Sequence, residues 1–311
     1  MKFTIKNSRR SGFTLVELLV TLSVIAILVS VLLPATQDVR EVARLSVCEN
    51  HLRSLGIALH NYQESHSVLP AAAISWNRTV DARDPYQDRR QWSWAAAILP
   101  QLGQTHLYEQ IDFTPDLRTP SNRSALRQRV TGFYCPAMPT LGYVNMTDRI
   151  SGDTDAAIID YAAVSSHLPT VLGPGFFRVD QSGTGTLAVN QWRSYRDISD
   201  GLSQTLLLSE TRFDQFHAAI GGRGACLVSS DCSFGFAWGQ MASVTTGDGI
   251  NRQEYQSDGT PSWRYQILTS HSGGAQFAFV DGHVSFISEQ IEPEILKALT
   301  TPAGGEFVSE F

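Results

Sequence analysis

Gly12-Phe13-Thr14-Leu15-Val16-Glu17-Leu18-Leu19 opens an apolar run that continues to Leu33. From Phe13 to Leu33 there are 21 residues, and 15 of them are Phe, Leu, Ile or Val. A helix of that length, at about 1.5 Å rise per residue, spans about 31 Å and matches the roughly 30 Å core of a bilayer. At about −0.3 to −0.6 kcal/mol per apolar residue, the transfer term is about −5 to −9 kcal/mol, which one carboxylate does not cancel. Glu17 lies early in the span, where an acid costs less than at the midplane and the helix dipole favours it. The preceding segment carries Lys2, Lys6, Arg9 and Arg10 and no acidic residue. By the positive-inside rule that end stays in the cytoplasm and the rest crosses.

Three readings of this stretch compete. A secretory signal peptide has a shorter apolar core and a small-residue cleavage site, whereas this run ends in Leu32-Leu33-Pro34. A plain anchor explains length and charge but leaves an ionisable residue in the span without a partner. The third reading supplies the partner, because the stretch resembles the class III signal of type IV pilins and type II secretion pseudopilins. That resemblance implies cleavage by a prepilin peptidase after Gly12 and N-methylation of Phe13. It implies as well that Glu17, fifth in the mature chain, pairs with the N-terminal amine of a neighbouring subunit. Pro34 then falls where pilin helices often carry a proline. The chemistry agrees: an ammonium and a carboxylate each cost free energy alone in lipid, and pairing offsets much of it.

The chain has 311 residues, 42% of them hydrophobic, and a net charge of −6. Its length fits one globular unit beyond a single span. The expected organisation is a basic leader at 1–12, a transmembrane half-helix at 13–33, an amphipathic half-helix at 34–66 and a head at 67–311. Cleavage after Gly12 would remove four basic residues and take the net charge from −6 to −10, which argues against nucleic acid as a partner.

After Pro34, which is expected to bend the helix, the helical pattern continues to about His66. Leu45, Cys48, Leu52, Leu55, Leu59 and Tyr62 form an apolar stripe, read as a core seam. The segment Cys48 to Tyr62 resembles the post-anchor helix of a large family of pilin-like proteins, abundant in planctomycetes and known as a domain of unknown function, DUF1559. Trp92-Ser-Trp94 with Leu99-Pro100, Phe133-Tyr-Cys-Pro136 and Asp197 to Thr205 match further blocks. The last is the family's C-terminal signature of His, nine residues and Asp-Gly, here His271 and Asp281-Gly282. The resemblance implies an α+β pilin-like fold, a long N-terminal helix packed on an antiparallel β-sheet head with loop-rich insertions.

Between residues 70 and 150 the chain reads as loop-rich, with one helix from about Trp92 to Gln110. Trp76, Trp92 and Trp94 read as core in preference to a glycan-stacking platform. Cys48 on the stripe and Cys135 before Pro136 form either a bridge fastening helix to head or two buried thiols. Asp148, Asp153 and Asp155 read as an acidic loop, a weak Ca²⁺ candidate whose spacing fits no EF-hand, so no cofactor is expected. Ile158 to Val164 and Thr205 to Ser209 read as strands, with turn residues Asp197 and Asp200-Gly201 between them. Gly221 to Gly224 reads as a flexible connection. Cys226 and Cys232 read as a local disulfide, since His217 alone makes a weak case for zinc.

Ala275 to Val280 and His283 to Ser288 flank Asp281-Gly282, a two-residue hairpin signal in which both turn residues need positive φ. In that register Phe279 faces Val284 and Phe277 faces Phe286, all on the side toward the long helix. His271 falls at the other end of the hairpin from Asp281, so the two do not share one catalytic site. A short helix follows near Glu292 to Leu299. No Gly-x-Ser-x-Gly or His-Glu-x-x-His motif occurs, and the reading is of a non-enzymatic subunit. The expected setting is the bacterial inner membrane with the head in the periplasm, and the partners are prepilin peptidase and other pilin-like subunits. The alternative is an anchored surface protein that binds a glycan or protein without polymerising.

Overall fold

A computed structural model describes residues 14–72, 74, 92–114, 120–138, 143–148, 152–157, 159–167, 171–173, 176–178, 184–188, 190–211, 243–247, 249–252 and 267–306. The chain divides into two compact units, residues 1–43 and 44–311, and helix α1 (Leu15–His66) contributes to both. In the first unit α1 is long and apolar enough to cross a membrane, and its assignment is unbroken through Pro34.

In the second unit Cys48, Leu52, Leu55 and Leu59 are fully buried, as the 3,4 spacing requires. The helix stops at Ser67, whose left-handed φ of 63° supplies the usual terminating geometry. The single helix expected over Trp92 to Gln110 is instead α2 (Trp94–Ala97), a 3₁₀ turn (Pro100–Leu102) and α3 (Thr105–Glu109). Pro100 lacks the amide an α-helix needs there, and Gly103 at φ 71° turns the chain out of helical geometry. Trp92 and Trp94 are buried, as core residues should be. Helix α4 (Arg123–Leu126) follows.

Strands β1 (Tyr143–Asp148) and β2 (Gly152–Ala157) form one antiparallel pair, and β4 (Val171–Gly173) and β5 (Phe176–Arg178) form another. The main sheet holds β3 (Tyr161–Ser166), β6 (Leu206–Glu210), β7 (Ser243–Thr245), β8 (Gly274–Phe279) and β9 (Val284–Ser288) in the order β7-β3-β6-β8-β9. Four of its strands are antiparallel, and β7 adds to β3 in parallel at one edge. Helix α5 (Pro293–Thr300) closes the described chain, with Pro293 in its first turn, where a missing amide costs nothing.

Both faces of this sheet are covered. On one face Tyr161, Ala163, Leu208 and Ala278 pack with Cys48, Leu52, Leu55 and Leu59 of α1 and with Trp94 and Phe133. On the other, Ala162, Val164, Leu206, Phe277, Phe279 and Ile287 pack with Leu296 and Leu299 of α5. Double coverage explains why β3, β6 and β8 are buried along their whole length.

That second layer corrects the expected hairpin register. Ala278 pairs with Val284 and Phe277 with Ser285, one residue away from the expected pairing. The connection has three residues: Gly282 N–H donates to Phe279 O, Phe279 N–H donates to His283 O, and only Gly282 has positive φ, at 91°. This is a three-residue loop with glycine at the left-handed position. A one-residue slip reverses facing. Phe277 and Phe279 therefore join the α5 layer, while Val284 lies against the α1 core and Phe286 is 45% exposed.

Candidate functional site

Gly12 and Phe13 lie outside the described residues; Glu17 does not. Thr14 and Glu17 form a reciprocal cap on α1. Thr14 N–H and Oγ1 donate to Glu17 Oε2 at 2.8 and 2.7 Å, and Glu17 N–H donates to Thr14 Oγ1 at 3.3 Å. Thr-x-x-Glu is the capping-box pattern and was legible in the sequence. The Glu17 carboxylate thus has a local partner within its own chain.

In the head, the separated sequence blocks converge on α1 and the hairpin. Cys48 and Cys135 are joined, with Cα atoms 5.2 Å apart across 87 positions of sequence. Closing a loop of that length stabilises the fold by about 4–5 kcal/mol in the chain-entropy account. His271, the first residue of the signature, is buried against this bridge. Its Nε2 lies 3.6 Å from Cys135 Sγ and 3.4 Å from Glu210 Oε1, and Glu210 is itself buried at the end of β6. Glu210 Oε2 accepts Gln276 N–H at 3.1 Å, and the Gln276 side chain donates to Leu45 O at 3.1 Å. Cys135 N–H donates to the buried Asp160 at 2.9 Å. Glu210 escaped the sequence reading because a strand-terminal acid resembles a solvated one.

At the opposite end of the hairpin, Gly282 packs on the same helix. A Cβ built on Gly56 would stand 3.7 Å from Gly282 Cα, and one on Gly282 would stand 3.3 Å from His60 Nε2. Turn chemistry alone therefore does not account for Gly282; a close approach to α1 also needs it. The turn is held further by Val280 N–H to Thr205 O and Asp281 N–H to Leu202 O, both 3.0 Å. Asp281 accepts His283 N–H at 3.0 Å. His271 and Asp281-Gly282 thus fasten the two ends of one hairpin and share no site.

The Asp197 to Thr205 block has its own local work. Ser194 and Asp197 form a capping box on a 3₁₀ turn, and hydrogen bonds from Ser194 hold the Asp197 carboxyl below its ordinary value. Asp200 accepts the amides of Gly304 and Gly305 at 2.6 and 3.0 Å, tying down the chain after α5. Asp148, Asp153 and Asp155 are strand residues of the β1–β2 pair, not a loop, because residues 143–148 and 152–157 pair in continuous antiparallel register. Cys226, Cys232, His217, Trp76 and Gly221 to Gly224 lie outside the described residues.

Two tyrosines next to α1 carry a pH dependence. Burial, with Glu210 and then Asp160 adding, pushes the Tyr161 hydroxyl well above its ordinary value. Burial, with Glu64 adding, pushes Tyr195 up to about 12. Folding therefore favours the neutral phenols. Their contribution is complete below about pH 10, the unfolded value; that of Tyr195 is lost as pH rises through about 12, and that of Tyr161 is lost as pH rises through its own raised value. Denaturant titrations near pH 8 and near pH 11 should show a smaller alkaline loss of stability for Tyr195→Phe and Tyr161→Phe than for the parent chain. Equal losses would show that neither phenol is the titrating group.

Residues 7–33 match the prokaryotic N-terminal methylation motif. The competence protein ComGC of Halalkalibacterium halodurans is 39% identical to this chain over 61 residues, which is 20% of this chain and 60% of that protein. The chain thus spans less than two thirds of that relative's length. No solved structure matches it. Residues 37–294 match the family described as protein of unknown function, DUF1559, and because that match covers most of the chain, the chain belongs to the DUF1559 family.

Proposed function

We propose that this chain is a pilin-like structural subunit, cut by prepilin peptidase after Gly12, methylated on Phe13 and assembled with like subunits through its N-terminal helix. The observation that carries this reading is the methylation-motif match over residues 7–33, coinciding with the apolar part of α1 and with Glu17 at the helix start. The leader charge supports an N-terminus in the cytoplasm and a head across the membrane, in the periplasm or on a filament. The likeness to a competence protein is in keeping with this role. The head acts as a scaffold without chemistry of its own in assembly: its signature residues brace a hairpin.

Mass spectrometry of the membrane-extracted protein tests the processing step. The expected N-terminus is N-methyl-Phe13. An intact Met1, or a cut near Ala35, would contradict the proposal.

A further inference from the structure

Cys48 Sγ, Cys135 Sγ, Glu210 Oε1 and His271 Nε2 all lie within 4.8 Å of one another, and all four residues are buried. A disulfide needs neither a carboxylate nor an imidazole beside it. Here the two stand 3.4 Å apart, His271 Nε2 to Glu210 Oε1. Both also face the Cys135 sulfur, at 3.6 Å from His271 and 3.8 Å from Glu210.

These separations are those of ligands around one tetrahedral zinc ion. Bonds of about 2.3 Å to sulfur, about 2.0–2.1 Å to imidazole and about 2.0–2.2 Å to carboxylate place S and N about 3.6 Å apart, N and O about 3.3 Å, and S and O about 3.6 Å. The observed values are 3.6, 3.4 and 3.8 Å. The two sulfurs, joined to each other, stand too close to act as separate ligands, and Cys48 Sγ lies within 4.8 Å of the other donor atoms. Around them one bond to a ligand side chain is in place, from Gln276 N–H to Glu210 Oε2, while the backbone amides of Cys135 and His271 are held by Asp160 and by Thr269 Oγ1 at 3.2 Å. Such second contacts orient metal ligands.

We propose that the reduced chain binds one Zn²⁺ here through the Cys48 and Cys135 thiolates, His271 Nε2 and Glu210 Oε1, and that oxidation exchanges the metal for the disulfide. Cysteines enter the chain as thiols. Binding releases two protons as both S–H groups become Zn–S bonds. A disulfide-class oxidant, RSSR, then takes two electrons: the protein S–S bond forms, the RSSR bond breaks, and two RS⁻ and Zn²⁺ leave. Either state links α1 to the head, so the helix is fastened before any oxidant arrives. The ligands come from four distant places in sequence, which is why no spacing motif announced them.

The test uses the full chain in detergent. A phosphine plus water reduces the disulfide to two thiols, becoming phosphine oxide, and Co²⁺ then serves as a spectroscopic probe. The reduced chain should take one equivalent, give the ligand-field and thiolate charge-transfer bands of tetrahedral cobalt, and lose them to Zn²⁺. The oxidised chain should give no bands. His271→Ala and Glu210→Gln should each weaken Co²⁺ binding by about tenfold or more, whereas Cys226→Ser with Cys232→Ser should leave it unchanged. If reduction unfolds the head, added Zn²⁺ should restore its near-ultraviolet circular dichroism. The assignment is overturned by a reduced chain that gives no bands and no Zn²⁺-dependent refolding, or by a Co²⁺ affinity that is unchanged in Cys48→Ser or His271→Ala.

Discussion

Glu17→Ala is expected to leave membrane insertion intact and to abolish subunit assembly. Insertion depends on the apolar run, and removing a carboxylate makes that run more apolar. In the proposed assembly the acid neutralises the N-terminal ammonium of a neighbour, each being costly in lipid without the other. The alanine variant also loses the cap that Thr14 and Glu17 build on α1, worth about 1 kcal/mol of helix-end stability. A glutamine variant separates the two effects. Its amide oxygen can still accept Thr14 N–H, as capping boxes with glutamine do, but it carries no charge. Glu17→Gln should therefore insert, keep its cap and still fail to assemble. Cross-linking of neighbouring subunits in membranes, read beside the membrane-fraction yield, gives both quantities. Cross-linking unchanged in Glu17→Ala would show that neighbours pack without this acid, no cross-linking in the parent chain would leave an anchored protein that does not polymerise, and assembly retained in Glu17→Gln alone would reduce the acid to a cap.

The long helix was legible because its period is unambiguous. Cys48, Leu52, Leu55 and Leu59 had to share a face, and all are buried. The C-terminal hairpin was legible as a hairpin but not in register. Asp-Gly serves two loop types, and the choice depends on which layer Phe277 and Phe279 enter, a fact held by Leu296 and Leu299 of α5, later in the chain. The helix drawn over Trp92 to Gln110 failed where Pro100 and Gly103 punctuate an apolar pattern that continues past them. At the buried centre, His271 stood out as part of a signature and Cys48 as part of the stripe. Glu210 did neither. A lone acid after a hydrophobic strand is usually solvated, and only the fold brings it to the bridge.

The two hairpin glycines yield the largest stability effect, and its order is the reverse of what the signature suggests. Gly282→Ala places a side chain at φ 91°, with its Cβ 3.3 Å from His60 Nε2. The half-buried His60 ring, held by the Tyr195 hydroxyl, has to give by only a few tenths of an ångström, so the main cost is the unfavourable backbone region, about 1–2 kcal/mol. Gly274 has an ordinary φ and is one of the nine unspecified residues of the signature, yet a Cβ there would stand 2.1 Å from Ile287 O and 2.9 Å from the Phe286 ring. The half-exposed Phe286 can swing aside, but Ile287 O is backbone, next to the pairing of Gly274 with Ser288. Relief requires β9 to move off β8, and Ile287 would then leave the core it shares with Phe277 and Leu296. Overpacking of this kind costs about 3 kcal/mol or more when no side chain can yield. Gly274→Ala should therefore lower the denaturation midpoint well below that of Gly282→Ala, followed by fluorescence of the buried tryptophans. Equal midpoints, or a milder Gly274→Ala, would mean that β9 is not held against β8 in this register. The edge strand would then be free to slide, and Gly282, not the start of β8, would be the point at which the hairpin is fixed to the helix.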